Sequence, residues 1–280
     1  MRVAVATLAR GRTLHLQRQA LAVSRLRPAP SAYVVLALDE RRPDPPGATV
    51  LHRPLPADAP IRLGAARNEM IAAAAERADL VVCLDVDCLP APDLLLRLSR
   101  AAAETRGRDL LAGPVGRLAP IPRQRLVPTP VERRRARDVT RCGPRPVAPA
   151  GRLLREPRME LFWSLSFAVT PETHARIGGF DERYEGYGAE DTDYGLRARE
   201  AGVGLVWVGG AWTYHQHHPV STPPREHLHD IVSNSRHFHQ RWGRWPMEGW
   251  LHAFARAGLV RWSSDGETIE AIGSAGTVSA

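Results

Sequence analysis

The sequence predicts an open, mostly parallel α/β sheet flanked by helices, and three observations predict it. Strand-length apolar runs alternate with helix-length segments through residues 3–104. Those runs are continuously apolar, as in strands covered on both faces. Several of them stop at a polar or acidic residue, and sheets of this kind bind ligands outside the carboxyl ends of their strands.

Each element follows from its local pattern. Residues 3–6 form a first strand, with the polar turn 7–12 after it. Residues 14–25 read as a helix, with Leu14, Leu21 and Val23 apolar among polar neighbours. The run 33–38 is a buried strand that stops at Asp39-Glu40, and 49–52 is a weaker third strand. An alanine-rich helix covers 63–77, a fourth buried strand 80–84, and a helix 92–104 opens on a proline, where a missing N–H costs nothing. Residues 110–112 make a short strand. Between residues 114 and 157 prolines and arginines erase the periodicity, which predicts a flexible connection. A strand over 161–169, helices over 171–177 and 190–201, and a strand over 203–208 follow. Residues 227–242 and 250–257 read as helices, and 261–280 as a small hairpin or frayed tail; no repeat is evident.

Composition excludes several function classes. The 280 residues suffice for one large core. A net charge of +8 would suit nucleic acid, but all 38 basic residues are arginine and they are dispersed, save around Arg133-Arg134-Arg135-Ala136-Arg137. Nucleic acid is therefore not an expected partner. Cys83, Cys88 and Cys142 cannot form a closed disulfide framework and show no CxxC metal spacing; Cys83, inside a strand, reads as a small hydrophobe. A reduced, cytoplasmic setting is expected. No apolar stretch approaches the roughly eighteen residues of a spanning helix, and Met1-Arg2 leads into a strand, not a signal-peptide core. Peripheral contact with a membrane-bound acceptor, through the arginine-rich segment, stays open.

Two acidic clusters carry the chemistry. Asp85 and Asp87 lie two apart at the end of a strand, so both carboxylates can face one side and hold a hard divalent cation such as Mn²⁺ or Mg²⁺. A solvated strand end is the plainer account of an Asp-Val-Asp string; its place after a buried strand, with Asp39 ending another, favours the metal. Thr7 and Arg10 likewise follow a strand and can face a ligand. Glu190-Asp191-Thr192-Asp193 follows Gly186-Tyr187-Gly188 and opens a helix, whose dipole both explains acidic residues there and keeps a carboxylate ionised as a base. The cluster His215, His217, His218 offers a neutral imidazole to a metal or is a surface turn. Arg67-Asn68, near a helix start, could meet phosphate or ribose, or carry surface charge.

Together these residues resemble a GT-A glycosyltransferase, most like the family-two inverting enzymes. The second half resembles the region shared by the β-1,4-galactosyltransferases and the chondroitin-polymerase type. The resemblance runs from about Val3 to His218. It is carried by Asp85-Val86-Asp87, Phe162-Trp163-Ser164, Ile177-Gly178-Gly179-Phe180-Asp181-Glu182 and Gly186-Tyr187-Gly188-Ala189-Glu190-Asp191-Thr192-Asp193. It implies a nucleotide-sugar-binding half (1–113), the connection (114–157), an acceptor and catalytic half (158–220), C-terminal helices (221–260) and a tail. It also implies a metal-dependent, inverting transfer from a nucleotide-sugar, with UDP the expected nucleotide, to a glycan, lipid-linked or small-molecule acceptor. By the same resemblance Thr7, Arg10 and Asp39 border the base and ribose, and Arg67 lies by the nucleotide or diphosphate. Asp87 and His215 ligate the metal with His217 in reserve, and Asp85 meets the ribose or a metal-bound water. Asp191 is the base, Glu190 bonds sugar or acceptor, and Trp163 lines a sugar pocket.

Two other functions compete. A sugar nucleotidyltransferase wants a glycine-rich basic loop after its first strand, and Leu8-Ala9-Arg10-Gly11-Arg12 is too poor in glycine. A non-catalytic binding module of the same fold predicts a missing base or ligand, yet Asp87, Asp191 and His215 are all present.

Overall fold

A computed structural model describes residues 1–140, 144–219, 221–263 and 265–272. The first half is β1 (Val3–Ala9), α1 (Thr13–Val23), β2 (Ala32–Ala37), β3 (Thr49–His52), α2 (Leu63–Ala75), β4 (Leu80–Leu84), β5 (Cys88–Pro90), α3 (Leu94–Glu104) and β6 (Leu110–Ala112). Then come β7 (Val115–Arg117), α4 (Pro130–Thr140), β8 (Leu153–Glu156), β9 (Ser166–Val169), α5 (Pro171–Ile177), α6 (Glu190–Glu200), β10 (Leu205–Val208) and β11 (Thr213–His215). The chain closes with α7 (Leu228–Trp242), α8 (Glu248–Arg256) and the hairpin β12 (Val260–Trp262) and β13 (Ile269–Ala271).

The central sheet has eight strands in the order β3-β2-β1-β4-β9-β6-β10-β8. It is mostly parallel; only β9 and the edge strand β8 run against the rest. Both faces are covered, which is why its strands read as unbroken apolar runs. Ala4, Ala6, Val34, Leu36, Val81 and Cys83 face a core completed by Met70 and Ile71 of α2 and by Tyr194 and Leu196 of α6. The alternate residues Val5, Val35, Val82 and Leu84 face Leu16 and Ala20 of α1 and Leu94 and Leu98 of α3. A one-residue slip in any strand would exchange these two sets. A second sheet, β5-β11-β7, sits at the carboxyl end of β4 and packs on α4 through Trp212, Tyr214 and Ala136. Helices α7 and α8 and the terminal hairpin share a third cluster around Ile231, Leu251 and Phe254. Among the described residues no helix is long and apolar enough to cross a membrane.

Two expectations change. The segment 114–157, expected to be an unstructured connection, contributes β7, α4 and β8. Its strands are three and four residues long, and β8 pairs only at the sheet edge. Helix α4 is polar on most of its surface, so neither element leaves an apolar period. The expected strand over 161–169 begins only at Ser166, after a 3₁₀ turn at Met159–Leu161. The terminal hairpin forms over residues 260–271, while 273–280 lie outside the described residues, as does Cys142. Cys83 and Cys88 are free and buried.

Candidate active site

The carboxyl ends of β1, β2 and β4 meet the start of α6 and the end of β11. After β4 the chain turns through Asp85-Val86-Asp87 into β5, and a buried glutamine fixes that turn. Gln19 of α1 donates to the carbonyls of Asp85 at 2.7 Å and Cys88 at 2.9 Å. Its Oε1 accepts from Thr7 and Tyr33. The Asp87 carbonyl accepts from the Gln216 N–H at 2.7 Å, which ties the turn to the residue after β11.

That tie brings Asp87, His215 and His218 together, with one potential ligand atom from each within 4.8 Å of the others. His215 Nε2 lies 3.5 Å from Asp87 Oδ1, and His218 Nε2 lies 3.3 Å from Oδ2. Oδ1 is buried and has no hydrogen-bond partner among the described residues. Burial lowers the His215 pKa and so favours the neutral, ligating imidazole. The Asp87 hydrogen bond raises that of His218. Burial pushes the Asp87 carboxyl up, yet His218 and His215 outweigh it and hold the group below its ordinary value. A carboxylate that faces one imidazole with each oxygen, and keeps Oδ1 without a hydrogen bond, fits a divalent cation. His218 stands where His217 was the reserve: His217 is exposed and only its carbonyl, 3.4 Å from His15 Nε2, turns toward the site.

The second acidic cluster arrives through α6. Its entry needs left-handed backbone, with φ of 68° at Gly186, 105° at Gly188 and 74° at Ala189. A Cβ on Gly186 would meet the Asp230 carboxylate at 2.2 Å, so α7 closes directly on this turn. Arg67 of α2 then joins the clusters. Its guanidinium donates to Glu190 at 2.7 Å and lies 3.7 Å from Asp85, with Phe180 5.5 Å beneath it. Burial opposes the Arg67 charge, but Glu190 and Asp85 outweigh it and raise its pKa. Next door, Asn68 clamps the Gly178-Gly179-Phe180-Asp181-Glu182 string, accepting from the Phe180 N–H at 2.8 Å and donating to its carbonyl at 3.0 Å. Phe180 stacks on Tyr194 with centroids 4.0 Å apart, an arrangement adding about 1 kcal/mol beyond burial.

The carboxylates differ in their surroundings. Burial, against the pull of Arg67, raises Asp85, and the charges of Asp87, Glu190 and Asp191 add to the rise. Asp191 is pushed up to about 6 by burial and then by Glu190, opposed by Arg67 and by the backbone of Thr192 and Ser164. Asp193 is fully buried and accepts from the Trp242 indole at 2.9 Å, a structural bond to α7.

Not every expected residue faces the cleft. Strand β1 runs three residues further than predicted, to Ala9, so Thr7 is internal, fully buried and bonded to Gln19. The Arg10 guanidinium is taken up by the carbonyls of Pro56, Ala57 and Ala59, and Asp39 accepts from the Gly11 N–H at 2.6 Å. Both brace loops at the rim. Arg67 is 6 % exposed and Glu190 5 %, so each meets the other and not an open cleft. Trp163 is half-buried, with Arg145 5.3 Å from its ring centroid. Sequence reasoning missed Arg12, whose charge acts on Asp87, His215 and His218, and His15, which lies edge-on to His218. Their nearness depends on how tightly the turn after β1 closes, which has no sequence period.

Residues 156–219 match the family described as N-terminal domain of galactosyltransferase. That span holds both acidic residues Glu190 and Asp191 and the histidines, but not Asp85 or Asp87. No curated protein matches the chain. Among solved structures, GalNAc-T7 with UDP, GalNAc and Mn²⁺ superposes with a TM-score of 0.55 at 14 % identity, covering 78 % of this chain and 44 % of that one. S. aureus TarS superposes with a TM-score of 0.53 at 12 % identity, covering 85 % and 40 %. The fold is GT-A. The GT-A chain spans less than half the length of either neighbour, and identities this low establish architecture alone. Within the GT-A sheet, the Asp85–Asp87 turn occupies the carboxyl end of a central parallel strand, where open sheets bind their ligands.

Proposed function

We propose that this chain is a metal-dependent inverting glycosyltransferase that moves a sugar from a nucleotide-diphosphate donor, with UDP the first nucleotide to test, to an acceptor hydroxyl. One observation carries the reading: Arg67 bridges Asp85 and Glu190, residues 105 positions apart (190 − 85), and so makes one site from the Asp87-His215-His218 cluster and the Asp191 carboxylate. The galactosyltransferase-like match over 156–219 and the UDP and Mn²⁺ in the GalNAc-T7 structure support it.

Two imidazoles and one carboxylate suit Mn²⁺ better than Mg²⁺, which prefers oxygen ligands. A cation held by Asp87, His215 and His218 would supply charge neutralisation for the departing diphosphate. The Arg12 guanidinium adds positive charge on the same side. Asp191 takes the proton of the acceptor hydroxyl as that oxygen attacks the anomeric carbon. The bond from this carbon to the diphosphate oxygen breaks, its electron pair leaves with the diphosphate, and attack from the opposite face inverts the centre. Glu190, fixed by Arg67, stands beside the base and holds its proton affinity up.

Calorimetric titration with UDP, with and without Mn²⁺, followed by a thermal-shift screen of UDP-, GDP- and TDP-sugars, tests the proposal. Saturable, Mn²⁺-dependent UDP binding is expected; no binding of any of them would sink it. Asp87→Ala should weaken Mn²⁺-dependent UDP binding by about tenfold or more, because even outer-shell partners of a metal are worth about 10- to 100-fold in affinity. His217→Ala should leave that binding as it is. The initial rate should also fall as the pH drops through about 6, since a base is lost when Asp191 takes up its proton at a pKa of about 6. A rate independent of pH between 5 and 8 would exclude Asp191 as the base.

A further inference from the structure

Arg145 reaches the site from the stretch between α4 and β8, and the transfer chemistry above makes no use of it. Its backbone is anchored: Ala148 is buried, and the Pro149 carbonyl lies so near Gly209 that a Cβ there would stand 1.8 Å from it. The guanidinium carbon sits 4.6 Å from the Trp207 ring centroid and 5.3 Å from that of Trp163. Trp207 is itself fixed, fully buried in β10 and donating its indole N–H to Glu156 at 3.0 Å. Trp163 precedes Ser164, whose backbone helps to hold down the Asp191 pKa. The cation is thus held against two indoles, one residue along the chain from a backbone group that acts on the proposed base.

It is a cation without an anion. Nη2 is buried and has no hydrogen-bond partner among the described residues, and none of their carboxylates pairs with the group. Indole faces offset about 2 kcal/mol of a desolvated cation, less than the cost of burying an unpaired charge. Burial accordingly lowers the Arg145 pKa to about 10, with the Asp191 charge opposing the fall. The charge of Asp191 reaches Arg145 without forming a pair with it. What the guanidinium lacks is a planar, two-oxygen acceptor, the shape its donor fork fits.

We propose that Arg145 receives a carboxylate borne by the sugar at the transfer site, so that the enzyme's substrate is a carboxylated pyranose of the hexuronate class, as donor sugar or as acceptor terminus. The inference rests on this site being one of sugar transfer. It adds a specificity-determining residue to that reading.

The test separates the two readings and the two sources. Titration with UDP and Mn²⁺ comes first and tests the nucleotide site by itself, independently of Arg145. UDP-glucuronate is then compared with UDP-glucose. In protein saturated with UDP and Mn²⁺, methyl β-D-glucuronide is compared with methyl β-D-glucoside. The carboxylated member of one pair should bind about 10- to 100-fold tighter, the worth of a hydrogen bond to a charged group. Arg145→Gln should erase that preference with UDP affinity unchanged, and Arg145→Lys should keep part of it. Equal affinities within both pairs would overturn the proposal, as would a preference that survives in Arg145→Gln. A displaced acid limb of the pH profile with no change in discrimination would overturn it too, making Arg145 a tuner of Asp191. Should UDP fail to bind, the glucuronide and glucoside pair is measured on the protein alone and still decides for or against Arg145. Should Arg145→Gln fail to fold, the native comparison and Arg145→Lys decide the question in its place.

Discussion

Asp191→Asn should cut sugar transfer by about 10³-fold, the middle of the range for losing a general base, while UDP affinity in Mn²⁺ changes by less than about twofold. The substitution is nearly isosteric. Its side-chain oxygen still accepts from the Thr192 N–H, now 2.7 Å from Asp191 Oδ1. What goes is the charge and with it the ability to take a proton. Asp191 is not one of the three groups around the cation site, so donor binding should stay. The same shift fixes the sign of the stability change. A carboxyl whose pKa is raised on folding binds more protons in the native state, so its ionised form costs stability above that pKa. At pH 7 the variant should therefore melt no lower than the native protein. Single-turnover transfer assays, UDP calorimetry and thermal melts check the three parts. Transfer that survives in Asp191→Asn would move the base elsewhere, and a large drop in melting temperature would make the loss uninformative. Glu190→Gln is the control for position: it weakens the Arg67 bond and lowers the proton affinity of Asp191, but leaves the Asp191 carboxylate in place.

Arg67→Met should destabilise the fold by about 3–5 kcal/mol, the usual cost of removing one partner of a buried ion pair. The pair with Glu190 dominates, since both side chains are 7 % exposed, whereas Asp85 at 32 % is partly screened by water. Removing the guanidinium leaves Asp85, Asp87, Glu190 and Asp191 as like charges facing one another, with the histidines the nearest compensation. For a chain of this size the loss corresponds to a melting temperature lower by on the order of 10 °C. Arg67→Lys should recover only part, because an ammonium is a point charge and cannot reach two carboxylates as a fork does. Urea unfolding reads the free energy and thermal melts read the temperature for the three proteins. A Met variant within 2 °C of the native protein would show that the tie is not structural.

The first half of this fold was legible because its strands are buried on both faces and its helices have one apolar side, so burial writes itself into the pattern. β2, β3, β4 and α2 lie close to where that pattern puts them. The second acidic cluster was legible because glycines and carboxylates stand at fixed offsets around a helix start. What escaped was geometry made by side chains that belong to no period. Helix α4 has few apolar residues to betray it. Past β11 the chain leaves strand alternation, so no parity rule picks His218 over His217. Thr7 misled because polar residues end strands more often than they sit inside them, and here Gln19 supplies its hydroxyl with a buried partner. The sequence leaves Arg67 open to phosphate or ribose on one reading and to plain surface charge on the other; only the packed structure shows two carboxylates, one from each half, closing on it. Arg145 lies in a proline-rich stretch and gave no signal at all.

The place of β9 has a consequence for how the site comes into being. This reversed strand lies between β4 and β6, so the sheet is continuous only after a segment more than 50 residues downstream of β6 has been threaded into its middle (166 − 112 = 54). Arg67 and Glu190 are 123 residues apart, and Gln216 reaches His15 across 201. Such closures cost chain entropy that grows slowly with length, but they must be met before any long-range contact offsets them. No early fragment therefore has half a working cleft; residues 1–113 contain one of the three groups around the cation site and no base. A complete site in this chain therefore belongs to the whole sheet, because its parts meet only once β9 and β10, both interior strands from the second half, are seated.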